Sequence, residues 1–109
     1  MRPLRLVPLG AIVLAIWTTL AAGQEPGGNV ADGRRLAERW CSSCHLLDAG
    51  GTRPGSDAPT FRQVAQLPST TALALRAFLR TTHGGMPDIV LTPAETDDLI
   101  AFIMSLKGN

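Results

Sequence analysis

The chain has 109 residues, with ten Lys and Arg against nine Asp and Glu for a formal charge of +1. That length allows a single domain, and the near balance of charge excludes a nucleic-acid surface or a strongly basic docking face. Hydrophobic residues make up 45%, but a sizeable share of them lies in one run near the start and is not available for a core.

In that opening stretch Arg2 and Arg5 precede a largely apolar run from Leu6 to Leu20, and small residues Ala21, Ala22 and Gly23 follow. A basic flank, a short apolar segment and a small-residue site predict a secretory signal peptide over residues 1–23, leaving a domain over 24–109. Retention as an anchor helix is the alternative, because the run is only a little short of the roughly 20 apolar residues that span a bilayer. Pro8 and Gly10 favour cleavage. The expected product is periplasmic or otherwise exported, meeting a membrane only transiently or through an uncleaved segment.

Residues 24–29, with Pro26, Gly27 and Gly28, read as a loose arm without signal. Asn29 or Asp32 can cap the helix that follows through Leu36, Ala37 and Trp40. Gly33 inside it costs about 1 kcal/mol relative to alanine, so a close helix contact is the expected reason for it. The helix leads into Cys41-Ser42-Ser43-Cys44-His45, which holds both cysteines of the chain.

Two cysteines three apart with a histidine directly behind them are a haem attachment signal. On a helical turn residues i and i+3 share a face, so both thiols can reach the vinyl groups along one porphyrin edge, and His45 then lies beneath the iron as its proximal ligand. In an oxidising compartment a lone pair of thiols needs a use, and covalent haem c supplies one. Three other readings of the same residues stay open, one of them a structural disulfide whose three-residue loop would staple almost nothing. A thiol-disulfide oxidoreductase would use Cys41 and Cys44 but needs a strand entering a helix. A zinc site would recruit Cys41, Cys44, His45 and His83 at a spacing that matches no finger.

Gly50, Gly51, Pro54, Gly55, Ser56, Asp57 and Pro59 then predict an irregular loop, long enough to wrap one face of a haem. Thr60 to Leu67 is expected as a short helix carrying Phe61, Val64 and Leu67, ended by Pro68. Ser69 is expected to cap a third helix over Thr70 to Thr81, and Thr82-His83-Gly84-Gly85-Met86-Pro87 breaks it. The last helix is the best marked. Thr92, Pro93 and Glu95 form a capping box with proline in the first turn, and Leu99, Phe102, Ile103 and Leu106 follow at helical spacing. No segment alternates with period two, so the fold class is all-α.

A helix ending in Cys-x-x-Cys-His, a proline-bearing loop, a Met-Pro loop and a final helix with an aromatic together resemble the small class I c-type cytochromes. The resemblance implies three to four short helices wrapped around one covalently bound haem c, held by Cys41 and Cys44. It implies His45 and Met86 as the axial iron ligands, and Pro59 as the residue whose carbonyl orients the His45 imidazole. It also implies that Gly33 meets Phe102 where the first and last helices cross. Leu36, Phe61, Leu73, Phe78, Leu79 and Leu99 are expected to close on the porphyrin. Having no tyrosine, the chain departs from relatives with further aromatics at the propionates, and Arg53 is either the substitute partner or a solvated loop arginine.

His83 lies three residues before Met86 and competes with it as distal ligand. Gly84, Gly85 and Pro87 shape the loop to present the methionine, whose neutral thioether favours ferrous iron and a high potential. With both axial positions filled, no site remains for a substrate. The expected function is a monomeric one-electron carrier between a redox protein donor and acceptor, not an enzyme. The alternatives are a dedicated cytochrome subunit of a periplasmic dehydrogenase and, from another class, the dithiol oxidoreductase.

Overall fold

The structure is a computed structural model and describes residues 27–48, Gly51 and 53–108. The expected signal peptide over 1–23 lies outside these residues. Four helices follow in order: α1 Val30–Trp40, α2 Phe61–Gln66, α3 Ala72–Phe78 and α4 Pro93–Ser105. Among the described residues no strand forms, and the only β-type pairing is an isolated bridge between His83 and Met86. None of the helices described is long and apolar enough to cross a membrane.

α4 is the element the others pack on, most extensively α1 and then α3 and α2. Its sequence explains why it is regular. The Thr92 side chain accepts from Glu95 N, the Glu95 carboxylate accepts from Thr92 N, and Pro93 occupies the first turn where no N–H is needed. Leu99, Ile100, Phe102 and Ile103 are buried along it, and burying each fully is worth about 1.5–3 kcal/mol.

The crossing of α1 over α4 depends on missing side chains. A Cβ built on Gly33 would stand 1.9 Å from the Asp98 carbonyl oxygen and 2.9 Å from Phe102 Cβ, so only glycine lets the two backbones meet there. Gly28 does the same one step earlier, where a Cβ would lie 2.0 Å from the Asp97 carbonyl oxygen. The arm before α1 is therefore docked, not loose, over its last residues. Asn29 secures it twice: its side chain accepts from Ala31 N and Asp32 N as the helix cap, and its backbone N–H donates to Asp98 Oδ1 at 2.7 Å.

The two short helices differ from expectation at their ends. α2 begins with a capping box, Thr60 with Gln63, and stops at Leu67 because a residue before proline is driven to extended backbone. Ala65, not Leu67, is the buried partner of Phe61, and Leu67 is half exposed. α3 is capped by Thr71 instead of Ser69, and spans seven residues where a longer helix over 70–81 was expected. Thr70 is the reason. It is buried, its Oγ1 donates to the Val64 carbonyl at 2.6 Å, and its own carbonyl accepts from Lys107 Nζ at 3.0 Å, so it belongs to the end of α2 and the tail of α4.

Candidate functional site

The last turn of α1 runs straight into the cysteine motif. Cys41 N donates to the Ala37 carbonyl, and Cys44 N and His45 N both fold back on the Cys41 carbonyl at 3.1 and 2.8 Å. Ser42 Oγ closes the same turn on the Glu38 carbonyl. The motif is thus a helical turn that places Cys41, Cys44 and His45 one after another around it.

The two thiols are free and unequal. Cys41 is buried and Cys44 exposed, and burial pushes the Cys41 thiol up to about 11. A dithiol catalyst needs an easily ionised thiolate, usually at a helix N-terminus, whereas Cys41 sits neutral and desolvated at a helix C-terminus. The zinc reading fares no better, since no group of three or more His, Cys, Asp or Glu among the described residues is placed to hold a metal ion.

His45 is held from both sides. Its Nδ1 lies 2.6 Å from the Pro59 carbonyl, which can only accept, so Nδ1 carries the proton and Nε2 presents a lone pair. Its ring packs on Phe61 at 5.1 Å between centroids, and Phe61 in turn packs on Phe102 at 6.2 Å. Through these two tilted ring contacts His45 is braced on α4. Phe61 therefore serves as buried support for the imidazole and is not a wall of the cleft described below.

The loop from Leu46 to Thr60 reaches Pro59 by a route that residue spacing did not reveal. Ser56 Oγ donates to the Cys44 carbonyl at 2.9 Å and accepts from Ala58 N, and Phe61 N donates to the Leu46 carbonyl. Asp48 ties the loop to two helices: its carboxylate pairs with Arg34 of α1 at 2.8 Å, and its carbonyl accepts from the Arg62 guanidinium of α2. The Arg34 contact holds the Asp48 carboxyl below the usual range. Nothing in the sequence marks Ser56, Asp48 or Arg62 beforehand, because their partners lie in other segments.

A cleft of about 370 Å³ opens between α1, α3, α4 and the loop after α3. Leu36, Trp40, Cys41, Phe78, Leu79 and Leu99 line it, and so do His83 and Met86. Cys41 and Met86 thus share one wall-to-wall space, while Cys44 and His45 are not part of its lining. Leu73, expected to face the cleft, points to solvent at 76% exposure. The Met86 loop is a tight turn in which Met86 N donates to the His83 carbonyl at 3.3 Å, and Gly85 takes φ +84°, where a side chain would be strained. Gly84 has no such requirement.

These residues suit a flat apolar group with an iron and anionic edges. The cleft is walled by leucines, Phe78 and Trp40, an imidazole with a free Nε2 and a thioether are both available, and neither thiol is spent on a disulfide. Arg53 Nε is buried without a hydrogen-bond partner among the described residues, an orphaned donor that a carboxylate would satisfy.

Residues 28–103 match the family described as cytochrome C oxidase, cbb3-type, subunit III. Cytochrome c-552 of Bradyrhizobium diazoefficiens is 32% identical over 99 residues, which cover 91% of this chain and 95% of that protein. No solved structure matches the chain.

Proposed function

The chain belongs to the c-type cytochrome family, and from that premise we propose an exported, monomeric electron carrier whose iron is held by His45 and Met86. Membership of the family makes it an electron-transport protein with covalently bound haem c and with redox partners. The haem supplies reversible one-electron chemistry at iron.

Cys41 and Cys44 are the attachment residues in this reading, and the helical turn that presents them supports it. The observation that carries the reading is the His45 to Pro59 hydrogen bond at 2.6 Å. It fixes the tautomer, leaves Nε2 unprotonated toward a metal, and raises the basicity of the ligand.

Met86 is supported by the cleft it shares with Cys41 and by the Gly85 turn that sets its backbone. With both axial positions filled by protein, substrate has no coordination site, so the protein transfers electrons without being an enzyme. The matched family's description names an oxidase subunit, and a dedicated subunit of a larger redox enzyme is the second reading. Gel filtration of native periplasmic extract separates the two.

The direct test is an absorption spectrum of the exported protein with a pyridine haemochrome assay, repeated in Met86→Ala. One covalent haem is expected in both proteins. The weak far-red sulfur-to-iron band of the ferric form and the high potential are expected only in the parent. A band that survives in Met86→Ala overturns the ligand assignment.

A further inference from the structure

We propose that His83 is a positioning residue for Met86, strapping the methionine loop to the end of α3 by its ring. The inference rests on Met86 being the distal ligand. His83 stacks on Phe78, with ring centroids 3.5 Å apart and planes 21° from parallel. Its Nε2 lies 3.3 Å from Thr81 Oγ1. That hydroxyl sits within donating distance of the Ala77 and Phe78 carbonyls, at 3.2 and 3.1 Å, which also accept from Arg80 N and Thr81 N where α3 ends. A hydroxyl that donates to these carbonyls accepts from the ring, so Nε2 of His83 carries the proton.

The two histidines are therefore held in opposite tautomers. His45 turns its proton to a carbonyl and leaves Nε2 bare, whereas His83 spends Nε2–H on a threonine and its face on a phenylalanine. His83 is also the first residue of the turn whose fourth is Met86, joined by the Met86 N–H to His83 carbonyl bond. Gly84 and Gly85, the two residues between them, bring no side chain that could fix the loop, and a Cβ on either would touch nothing within 4 Å. The anchor for the thioether is thus the ring three residues earlier. Its loss frees the whole turn from α3.

The test uses the haem-loaded protein and compares the parent with His83→Ala, His83→Phe and Met86→Ala. Two readouts follow the loop, namely the rate at which carbon monoxide binds the ferrous form and the urea concentration at which the ferric far-red band disappears. Helix unfolding by circular dichroism is followed alongside. In His83→Ala carbon monoxide binding is expected to rise about tenfold, the scale of losing one stacked aromatic contact, and the band to vanish at lower urea than the helices. His83→Phe keeps a stacking ring and is expected to recover most of both changes.

A carbon monoxide rate in His83→Ala within about twofold of the parent overturns the strap, since even the weakest stacked aromatic pair is worth about that much. So does a His83→Phe protein as altered as His83→Ala, because that result makes the nitrogen and not the ring the active part. Met86→Ala keeps the two claims apart. Loss of the band there with an unchanged His83→Ala sinks only the strap, and survival of the band there sinks the ligand assignment on which it rests.

Discussion

Adding one methyl group at Gly33 should destabilise a helix that it would ordinarily strengthen. Alanine is better than glycine inside a helix by about 1 kcal/mol, so propensity alone raises stability. The built Cβ, however, meets the Asp98 carbonyl oxygen at 1.9 Å, and ordinary carbon-to-oxygen contacts begin at about 3.3 Å. α1 must then retreat from α4 by about 1.4 Å. Both partners are backbone, and Phe102 Cβ at 2.9 Å blocks a sideways escape.

Overpacking of this kind costs about 1–3 kcal/mol, and a clash with rigid backbone belongs at the upper end. Set against the propensity gain, the net loss is about 2 kcal/mol, or roughly 8–16 °C in Tm for a domain of this size. The assay is thermal unfolding of the ferric, haem-loaded protein followed by far-ultraviolet circular dichroism. Gly84→Ala is the control, because no atom lies within 4 Å of its Cβ. A Gly33→Ala protein that melts at or above the parent would refute the close approach and with it the reason for glycine in α1.

Gly28→Ala should lower Tm in the same manner, although the residue precedes the helix, and an unchanged midpoint would return residues 27–29 to a loose arm. Stability should fall on the acid side: the carboxyls of Asp48 and Glu95 are both held below their usual values, the first mainly by Arg34 and the second mainly by Thr92 N–H. A depressed carboxylate contributes above its unfolded pKa of about 4 and loses that contribution as pH falls through its folded value. Denaturant midpoints should therefore hold level down to about pH 5 and drop below it, and Asp48→Asn should flatten part of that drop. A Cys41→Ala, Cys44→Ala protein exported without haem should show little helical circular dichroism and rapid proteolysis, because the cleft lined by Leu36, Trp40 and Phe78 is then left open to water. Native-like helicity with cooperative melting in that protein would show a domain that is self-sufficient without its cofactor.

What was legible from sequence is what is encoded within a few residues of itself. α4 was readable in full because its cap, its first-turn proline and its apolar spacing all lie inside one segment. The cysteine motif was readable for the same reason, and Gly33 because a glycine in a helix calls for a cause. The start of α3 is not legible, because Thr70 resembles any helix-starting threonine until its partners, Val64 and Lys107, are in place. Gly28 was missed because glycine in an arm is unremarkable unless α4 lies against it. Apolar character alone does not place Leu73, because which side of a two-turn helix faces inward is decided by its neighbours.

α4 is the last of the four helices to leave the ribosome, and it is also the one on which the other three rest. Until Leu99, Ile100 and Phe102 arrive, α1 has no surface to cross, His45 has no aromatic brace anchored beneath it, and the chain has no order in which to fold from its beginning. Assembly is thus postponed to the final residues of the fold. During that interval the turn carrying Cys41 and Cys44 stays reachable from every side, which is the condition a thiol needs if a large planar ring is to be joined to it before the walls close.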